Sequence, residues 1–312
     1  MNDNYYINLF KKKSKMNIIE KIKWQVRKFL IDHYPQIIIQ HEWPGVTGHE
    51  IDWNNPRDIN EKIQWLMCFS DTSEWTRLAD KYLVRDFIKE RGFENILTKL
   101  YGVWDNTNDI DFDVLPEKFV LKCNHDSAST IIVDKRKGFD RKNIVSFLNK
   151  CLKRKFGYVN CEPHYNKIPP KIIAEEFLEE KNSSYRSLTD YKFWCFDGKA
   201  YYICVMFDRT DDNVYETVYD IEWNNYPDYL QAYDQYKRGE NILPKPDNLK
   251  EMIAIAELLS KGFPEVRVDL YNVDGKIYFG EMTFSANRGR MRYEKTFLEK
   301  LGNLVQLPPK KK

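Results

Sequence analysis

Arg267, Asp269 and Glu281, with Thr283 two residues on, are the side chains best suited to do chemistry together. All four fall in Val266-Arg-Val-Asp-Leu-Tyr-Asn-Val-Asp-Gly-Lys-Ile-Tyr-Phe-Gly-Glu-Met-Thr-Phe284. Two carboxylates a strand apart repel unless a cation sits between them. Hard oxygen ligands with positions left open for phosphate oxygens suit Mg²⁺. The alternative is a surface hairpin laced by an Arg–Asp–Glu ion-pair ladder, and the segment alone leaves both readings open.

Three further groups carry weaker signals. Lys122 ends the apolar run Phe119-Val-Leu-Lys122 beside a loop of Asn124, His125, Asp126, Ser127, Ala128, Ser129 and Thr130, rich in hydroxyls and lacking glycine. Such a lysine and loop can bind phosphates through ammonium charge, N–H groups and hydroxyls; a solvated strand-end lysine is the plainer reading. Glu175 and Glu176 close the apolar run Ile172-Ile-Ala and lead through Phe177-Leu178 into an acidic loop. Acids and free backbone there could meet an adenine amino group and ribose hydroxyls, or simply be solvated. His33, His41, His49 and His164 lack partners at metal-ligand spacing and are read as structural. No G-x-S-x-G, H-E-x-x-H, G-x-x-x-x-G-K-S or G-x-G-x-x-G pattern occurs, so the hydrolase, zinc-protease, P-loop and Rossmann readings lose most of their weight.

The elements must position these groups. Alternation of Val266, Val268 and Leu270 with Arg267, Asp269 and Tyr271, then the turn Asp274-Gly275 and a second alternating run, predicts a β-hairpin. A two-residue turn puts Asp269 beside Gly280, on the face opposite Glu281. A three-residue turn with Gly275 in a bulge pairs Asn272 with Lys276, sets Asp269 against Phe279 and Arg267 against Glu281, and gathers Arg267, Asp269, Glu281 and Thr283 on one face. The second register is the one expected. Upstream, Ile18, Ile19, Ile22, Val26, Phe29 and Leu30 predict an amphipathic helix over residues 17–31, basic on its other face. Such a helix can lie on an anionic membrane, although a terminal helix that covers a core is the plainer expectation. Residues 36–57 are expected to be an irregular connector. Helices are expected from Asn60 to Cys68, capped by Asp58, and from Ser73 to Glu90, so the first third should be mainly helical. From Leu115, short strands (116–123, 130–134, 171–176, and a hairpin over 190–207) mix with helices over 141–156 and 249–260. This texture predicts an α+β fold with mainly antiparallel sheets.

Length and composition agree with a folded enzyme-sized chain. The 312 residues are 42% hydrophobic and 15% aromatic, and 49 basic against 47 acidic side chains leave a net charge of +2. Disorder is excluded, and there is no global charge preference for nucleic acid. The imbalance is local: residues 1–35 carry eight Lys or Arg against three acids. Six cysteines without metal-like spacing are expected to be reduced thiols, and the lack of a signal-like or membrane-spanning apolar run leads to a cytoplasmic location, with contact at the inner face of the membrane open through the N-terminal helix.

The order of these groups, a lysine strand with a hydroxyl loop, an acidic hinge and an Arg-x-Asp…Glu hairpin, resembles the ATP-grasp superfamily. Phe119-Val-Leu-Lys-Cys-Asn-His125, Asp190-Tyr-Lys-Phe193 and Arg267 to Phe284 are similar to its TupA-like branch, named for teichuronopeptide biosynthesis, over roughly residues 55–300. The resemblance implies two α+β subdomains, mainly antiparallel, clasping ATP behind a mostly helical N-terminal region. The expected segments are a basic amphipathic helix (1–35), a mainly helical region (36–114), subdomain 1 with the phosphate loop (115–172), subdomain 2 with the adenine hinge and Mg²⁺ site (173–305), and a tail (306–312) whose last residues, 308–312, are expected to fray. It further implies that Asp269 and Glu281 hold Mg²⁺, that Arg267 stabilises the transferred phosphoryl group, and that Lys122, Ser127, Ser129 and Thr130 meet ATP phosphates. Glu175, Glu176 and Leu178 would line adenine, Asp190 the ribose, and Lys81 or Arg85 would add a phosphate-binding base. Thr283 stands where the superfamily commonly has an asparagine ligand, and Asn287 is a substitute. Asp126 and Ala128 stand where relatives carry a glycine-bearing loop. The implied reaction joins a carboxylate to an amine at the expense of ATP, with a uronic acid of a surface polysaccharide or its nucleotide-linked form as the acid, and Arg288, Arg290 and Arg292 as candidate grips on it or as a solvated basic edge. The alternatives are a glycosyltransferase and an inactive ATP-grasp scaffold.

Overall fold

Capping side chains and turn residues set the boundaries of the elements. The computed structural model describes residues 17–181, 185–210, 212–239 and 242–311. Helix α1 (Ile18–His33) begins at Asn17, whose side chain accepts the Glu20 N–H while Glu20 accepts the Asn17 N–H, a capping box. The stretch after it, expected to be irregular, instead begins with α2 (Pro35–Glu42) and α3 (Pro44–Thr47). Proline at a first helical position loses an N–H that has no intrahelical partner anyway, and Gly48, at φ 78°, ends α3. Asp58 caps α4 (Ile59–Phe69) by accepting the Glu61 N–H at 3.0 Å.

The helix expected from Ser73 to Glu90 is two helices, α5 (Ser73–Ala79) and α6 (Val84–Glu90). Asp80 causes the break. Its carboxylate accepts the N–H groups of Tyr82 at 2.8 Å and Leu83 at 3.3 Å, and Asn124 Nδ2 donates to it at 2.9 Å. A short acid that satisfies nearby backbone donors competes with the helix ladder. Next comes strand β1 (Leu100–Trp104), in a stretch expected to be helical.

Strands β2 (Lys118–Cys123) and β3 (Ile131–Asp134) precede α7 (Arg141–Leu152), the short helices α8 (Phe156–Asn160) and α9 (Pro163–Asn166), and β4 (Ile172–Glu176). The first sheet has the order β1–β4–β2–β3 and is antiparallel throughout. Phe119, Leu121, Leu148, Cys151, Ile172 and Ala174 are among the residues of its own small core beneath α7.

The second sheet comprises β5 (Asp190–Phe196), β6 (Lys199–Phe207), β7 (Val214–Asp220), β8 (Tyr236–Arg238), β9 (Val266–Val273) and β10 (Lys276–Thr283), in the order β10–β9–β5–β6–β7–β8. Its pairs are antiparallel except β7–β8. Helix α10 (Leu249–Ser260) packs on β5, β6 and β9, so Val266, Val268 and Leu270 are fully buried while the alternate residues of β9 face the other way. Helix α11 (Lys295–Leu304) returns against α4, and Lys62 donates to the Gly302 and Val305 carbonyls. Within the stretch expected to fray, residues 308–312, the Lys311 N–H donates to the Phe69 carbonyl at 2.7 Å and the Lys310 ammonium lies over the Phe69 ring, while residue 312 lies outside the described residues. All six cysteines are free thiols.

Candidate functional site

Asp274 at φ 50° and Gly275 at φ 83° make a two-residue turn that pairs Val273 with Lys276, so the expected three-residue turn is not formed. Continued without interruption, that register would bury Asp269 and Glu281 on opposite faces. A bulge at Gly280 intervenes: Phe279 pairs with Leu270, then Glu281 pairs with Asp269 and Thr283 with Arg267. One extra residue on one strand rotates everything after it to the other face. Arg267, Asp269, Glu281 and Thr283 therefore share a face, as expected, through a bulge five residues from the turn and with Asp269 directly opposite Glu281. Gly280 suits the bend because a Cβ there would meet the Asp269 carbonyl oxygen at 3.0 Å and the Tyr271 ring at 3.2 Å.

Arg267 grips Asp269 with two hydrogen bonds, 2.7 and 2.8 Å, and reaches Glu281 Oε1 at 3.1 Å and the Thr283 hydroxyl at 3.2 Å. Lys192, opposite Asp269 on β5, places Nζ 2.5 Å from Asp269 Oδ2 and 2.5 Å from Asp190 Oδ2. The ion-pair ladder thus exists, but it is not a surface one: Asp269 is 2% exposed and Lys192 7%. Burial raises the Asp269 pKa against the opposing pull of Arg267 and Lys192. Burial also works against ionisation of Glu281, but Arg267, Lys192, Lys81 and the Thr283 hydrogen bond outweigh it and hold its pKa at about 2. Burial likewise lowers the Lys192 pKa, and Asp190 and Asp269 overcome it to leave the ammonium firmly charged.

Beside this network runs a cleft of about 700 Å³ between the two sheets. One wall carries Val120, Lys122, Glu175 and Glu176 from the first sheet and Thr130 from the loop before β3; the other carries Asp190, Tyr271, Phe279 and Gly280 from the second. Phe177 to Glu180 form the strap between them, with Leu178 in the lining. Glu175 binds both Lys122 and Arg85, the latter at 3.1 Å, and its side chain is 8% exposed. The break at Asp80 turns Lys81 into the cleft, where Nζ donates to the Asp126 carbonyl at 2.5 Å. Asp190 Oδ1 is buried and has no hydrogen-bond partner among the described residues.

A model of the TupA-like ATP-grasp family matches residues 61–306. The chain belongs to this family. No curated protein matches it. Among solved structures it is similar to the D-alanine–D-alanine ligase of Bacillus anthracis complexed with ATP, at 17% identity and a TM-score of 0.42, covering 73% of this chain and 65% of that one. The corresponding ligase of Helicobacter pylori gives 12% identity and a TM-score of 0.42 over 81% and 68% of the two chains. The ATP-grasp ligase PsnB complexed with minimal precursor gives 13% and 0.39 over 77% and 59%. This chain spans just under two thirds of the first ligase's length, and likenesses at this level place no constraint on its chemistry.

Within the TupA-like ATP-grasp fold the expected site residues separate. Lys81, Arg85, Lys122, Thr130, Glu175, Glu176, Leu178 and Asp190 line the cleft, with Arg267, Asp269 and Glu281 beside them in the buried network. Ser127 is exposed on the loop, outside the cleft lining. Ser129 is turned inward, its hydroxyl donating to Asp126 at 2.5 Å and accepting the Cys123 N–H at 3.0 Å, so it braces the loop. Ala128 supplies the bend at φ 59°, a conformation in which glycine would be unstrained. None of Arg288, Arg290 and Arg292 lines the cleft. Arg288 lies within a short 3-10 segment, Ala286–Gly289, and Arg290 and Arg292 follow it, so no strand edge turns their alternate spacing into one basic face. Arg290 pairs with Glu42 at 3.4 Å, Arg288 is close enough to Glu162 to lower its pKa, and Arg292 lies exposed over the Tyr233 ring. Asn287 donates to the Arg290 carbonyl, whereas Thr283 donates to Glu281 at 3.1 Å and is the one placed beside the acids.

Lys192 is the residue that sequence reasoning missed. Its signal was present in Asp190-Tyr-Lys-Phe193, where it shares a strand face with Asp190, but only pairing of β5 with β9 sets it against Asp269. Among the described residues no three His, Cys, Asp or Glu side chains gather around a common point. Two carboxylates, with phosphate oxygens and water completing the shell, is a donor set that Mg²⁺ accepts and zinc does not favour. Asp269 and half-exposed Glu281 fit that set, with Asp190 Oδ1 buried on the same face.

Proposed function

We propose that the chain is an ATP-dependent ligase that joins a carboxylate to an amine. The observation that supports this most is the buried Lys192–Asp269–Arg267–Glu281 network beside a cleft whose other wall offers Lys81, Arg85 and Lys122. Three cations there can meet a triphosphate, the Arg85 and Lys122 partners exchanging Glu175 for phosphate oxygens. The strap from Phe177 to Glu180, with Tyr271 and Phe279 opposite, offers apolar surface for a purine and backbone groups for its edge. Mg²⁺ held by Asp269 and Glu281 would neutralise charge on the phosphates.

In the reaction a substrate carboxylate oxygen attacks the γ-phosphorus, the bond to the bridging oxygen breaks, and ADP leaves with that electron pair. Arg267, fixed by Asp269, neutralises the equatorial oxygens of the transferred group. The amine nitrogen then attacks the acyl carbon, phosphate departs with the C–O electron pair, and the amine proton passes to solvent. The acid is a hexuronic acid of a surface polysaccharide or its nucleotide-linked precursor, a reading supported by resemblance to a family named for teichuronopeptide biosynthesis. Exposed Arg292 is the arginine left to grip the acceptor.

An ADP-release screen of UDP-glucuronic and UDP-galacturonic acids against a panel of amines, with products weighed by mass spectrometry, tests this. The expected product is an amide formed with one ADP and one phosphate. A scaffold that binds Mg-ATP without turnover is favoured by the engagement of both Asp269 oxygens. It predicts a thermal shift with Mg-ATP and no ADP release with any acid. Transfer of the sugar with release of UDP would instead identify a glycosyltransferase.

A further inference from the structure

Helix α1 meets the rest of the molecule through one mixed side and presents a second, wholly apolar side to solvent. Trp24, Arg27 and Ile31, on the inner side, make the contact. Arg27 donates to the Tyr158 carbonyl at 3.1 Å and to Glu42 at 2.5 Å, the Trp24 and Tyr158 rings meet edge to face, and Ile31 is fully buried. The Tyr158 hydroxyl donates to Asp32 at 2.7 Å. On the opposite side Ile18 is 75% exposed, Ile19 61%, Ile22 59%, Val26 51% and Phe29 56%. At helical pitch these five fall within an arc of roughly 100°. The His33 and Tyr34 rings continue the patch from Phe29, at 4.8 and 6.3 Å. This is the reverse of the expectation that the stripe covers a core.

We propose that this face lies in the headgroup region of an anionic membrane, with the helix in the plane of the surface. Charge selects the occupant. Lys21 and Lys23 flank the apolar arc on its two sides, and the sequence just before the helix carries Lys11, Lys12, Lys13 and Lys15, so six lysines fall within thirteen residues. A second copy of the same helix would set these charges against their like, whereas anionic lipid attracts all of them. Among the described residues no helix is long and apolar enough to cross a membrane, which agrees with a helix that lies on the surface. The helix precedes the residues matched by the family model, and its attachment through Arg27 and Tyr158 holds the body in a set orientation to the bilayer.

Sedimentation of the full chain with vesicles of phosphatidylcholine, with and without phosphatidylglycerol, tests the proposal. The expected result is binding to the anionic vesicles only, weakened by about 0.5 M salt. The pair Ile22→Glu with Val26→Glu should lower partitioning about tenfold or more, and the pair Lys21→Glu with Lys23→Glu should lower it as well. All four side chains are exposed, so the urea midpoint should not change. Absence of binding, binding blind to lipid charge, or equal binding by the Ile22→Glu/Val26→Glu variant would overturn it. So would a lipid-free dimer that this variant dissociates, which would assign the face to self-association.

Discussion

Asp269 and Glu281 occupy one ladder position yet sit in different dielectric surroundings. The Asp269 side chain is 2% exposed and bound by two cations, while the Glu281 side chain is 43% exposed. Asp269→Asn leaves Lys192 and Arg267 buried without their shared counter-charge, and should cost about 3 kcal/mol or more in urea denaturation. Glu281→Gln removes a partly solvated charge and should change stability by less than about 1 kcal/mol, while abolishing stabilisation by Mg-ATP. Equal effects of the two on stability would show that the network is not organised around Asp269.

A second pair of residues couples burial to pH. Burial raises the Glu162 pKa to about 7, with Ser285, Arg288 and Arg290 among the groups pulling it down, and burial lowers the His164 pKa to about 3. The folded state therefore holds the Glu162 proton that the unfolded chain releases above its ordinary value near 4.5, so this acid's contribution falls as pH rises from there to about 7. For His164 the unfolded chain binds the extra proton, so its contribution rises with pH from about 3 to its ordinary value near 6.5. Over pH 5–6 the two slopes oppose each other. Glu162→Gln should unmask the histidine, and its stability relative to wild type should climb by about 1.4 kcal/mol per pH unit there, read as urea midpoints. A flat difference would refute the assignment.

Among the elements, the bulge in β10 decides whether the acids can cooperate at all. Gly280→Ala places a methyl group against the Asp269 carbonyl oxygen and the Tyr271 ring, and the strand must shift to admit it. The expected cost is about 1 kcal/mol in stability, with a larger relative loss of Mg-ATP affinity, measured by calorimetry; unchanged affinity would mean that the bulge does not position Glu281 for the ligand. The break between α5 and α6 has a comparable role, since Asp80 both ends one helix and, through Asn124, ties Lys81 to the loop over residues 124–130. Periodicity could not show that break, because Asp80 competes with the helix only when its carboxylate is buried against Asn124. Strand β1 was missed for a related reason: its residues are all half-buried, and β4 alone supplies its pairing.

In the molecule as a whole, the cleft walls belong to two separate cores. A ligand that bridges them stabilises both by mass action, about 2.7 kcal/mol at a hundredfold excess over its Kd. Hydrogen exchange should therefore slow in β2 and β4 as well as in β9 and β10 when Mg-ATP is added. Slowing confined to one sheet would place the nucleotide outside the cleft.

The sequence by itself determined the mainly antiparallel α+β architecture, the family, and the shared face of Arg267, Asp269, Glu281 and Thr283, because alternation, turn residues and short motifs are local in the chain. Tertiary structure alone decided the register that makes the face, the part played by Lys192, the inward turn of Ser129, the scattering of Arg288, Arg290 and Arg292, and the outward apolar stripe of α1. The roles of Lys192, Arg290 and α1 depend on partners far away in the chain, whereas the bulge and the Ser129 turn are set by short-range contacts that alternation and residue type do not record. Pairing of strands 77 residues apart sets Lys192 against Asp269, and a helix pattern records that one face is apolar without recording which face the rest of the molecule will cover.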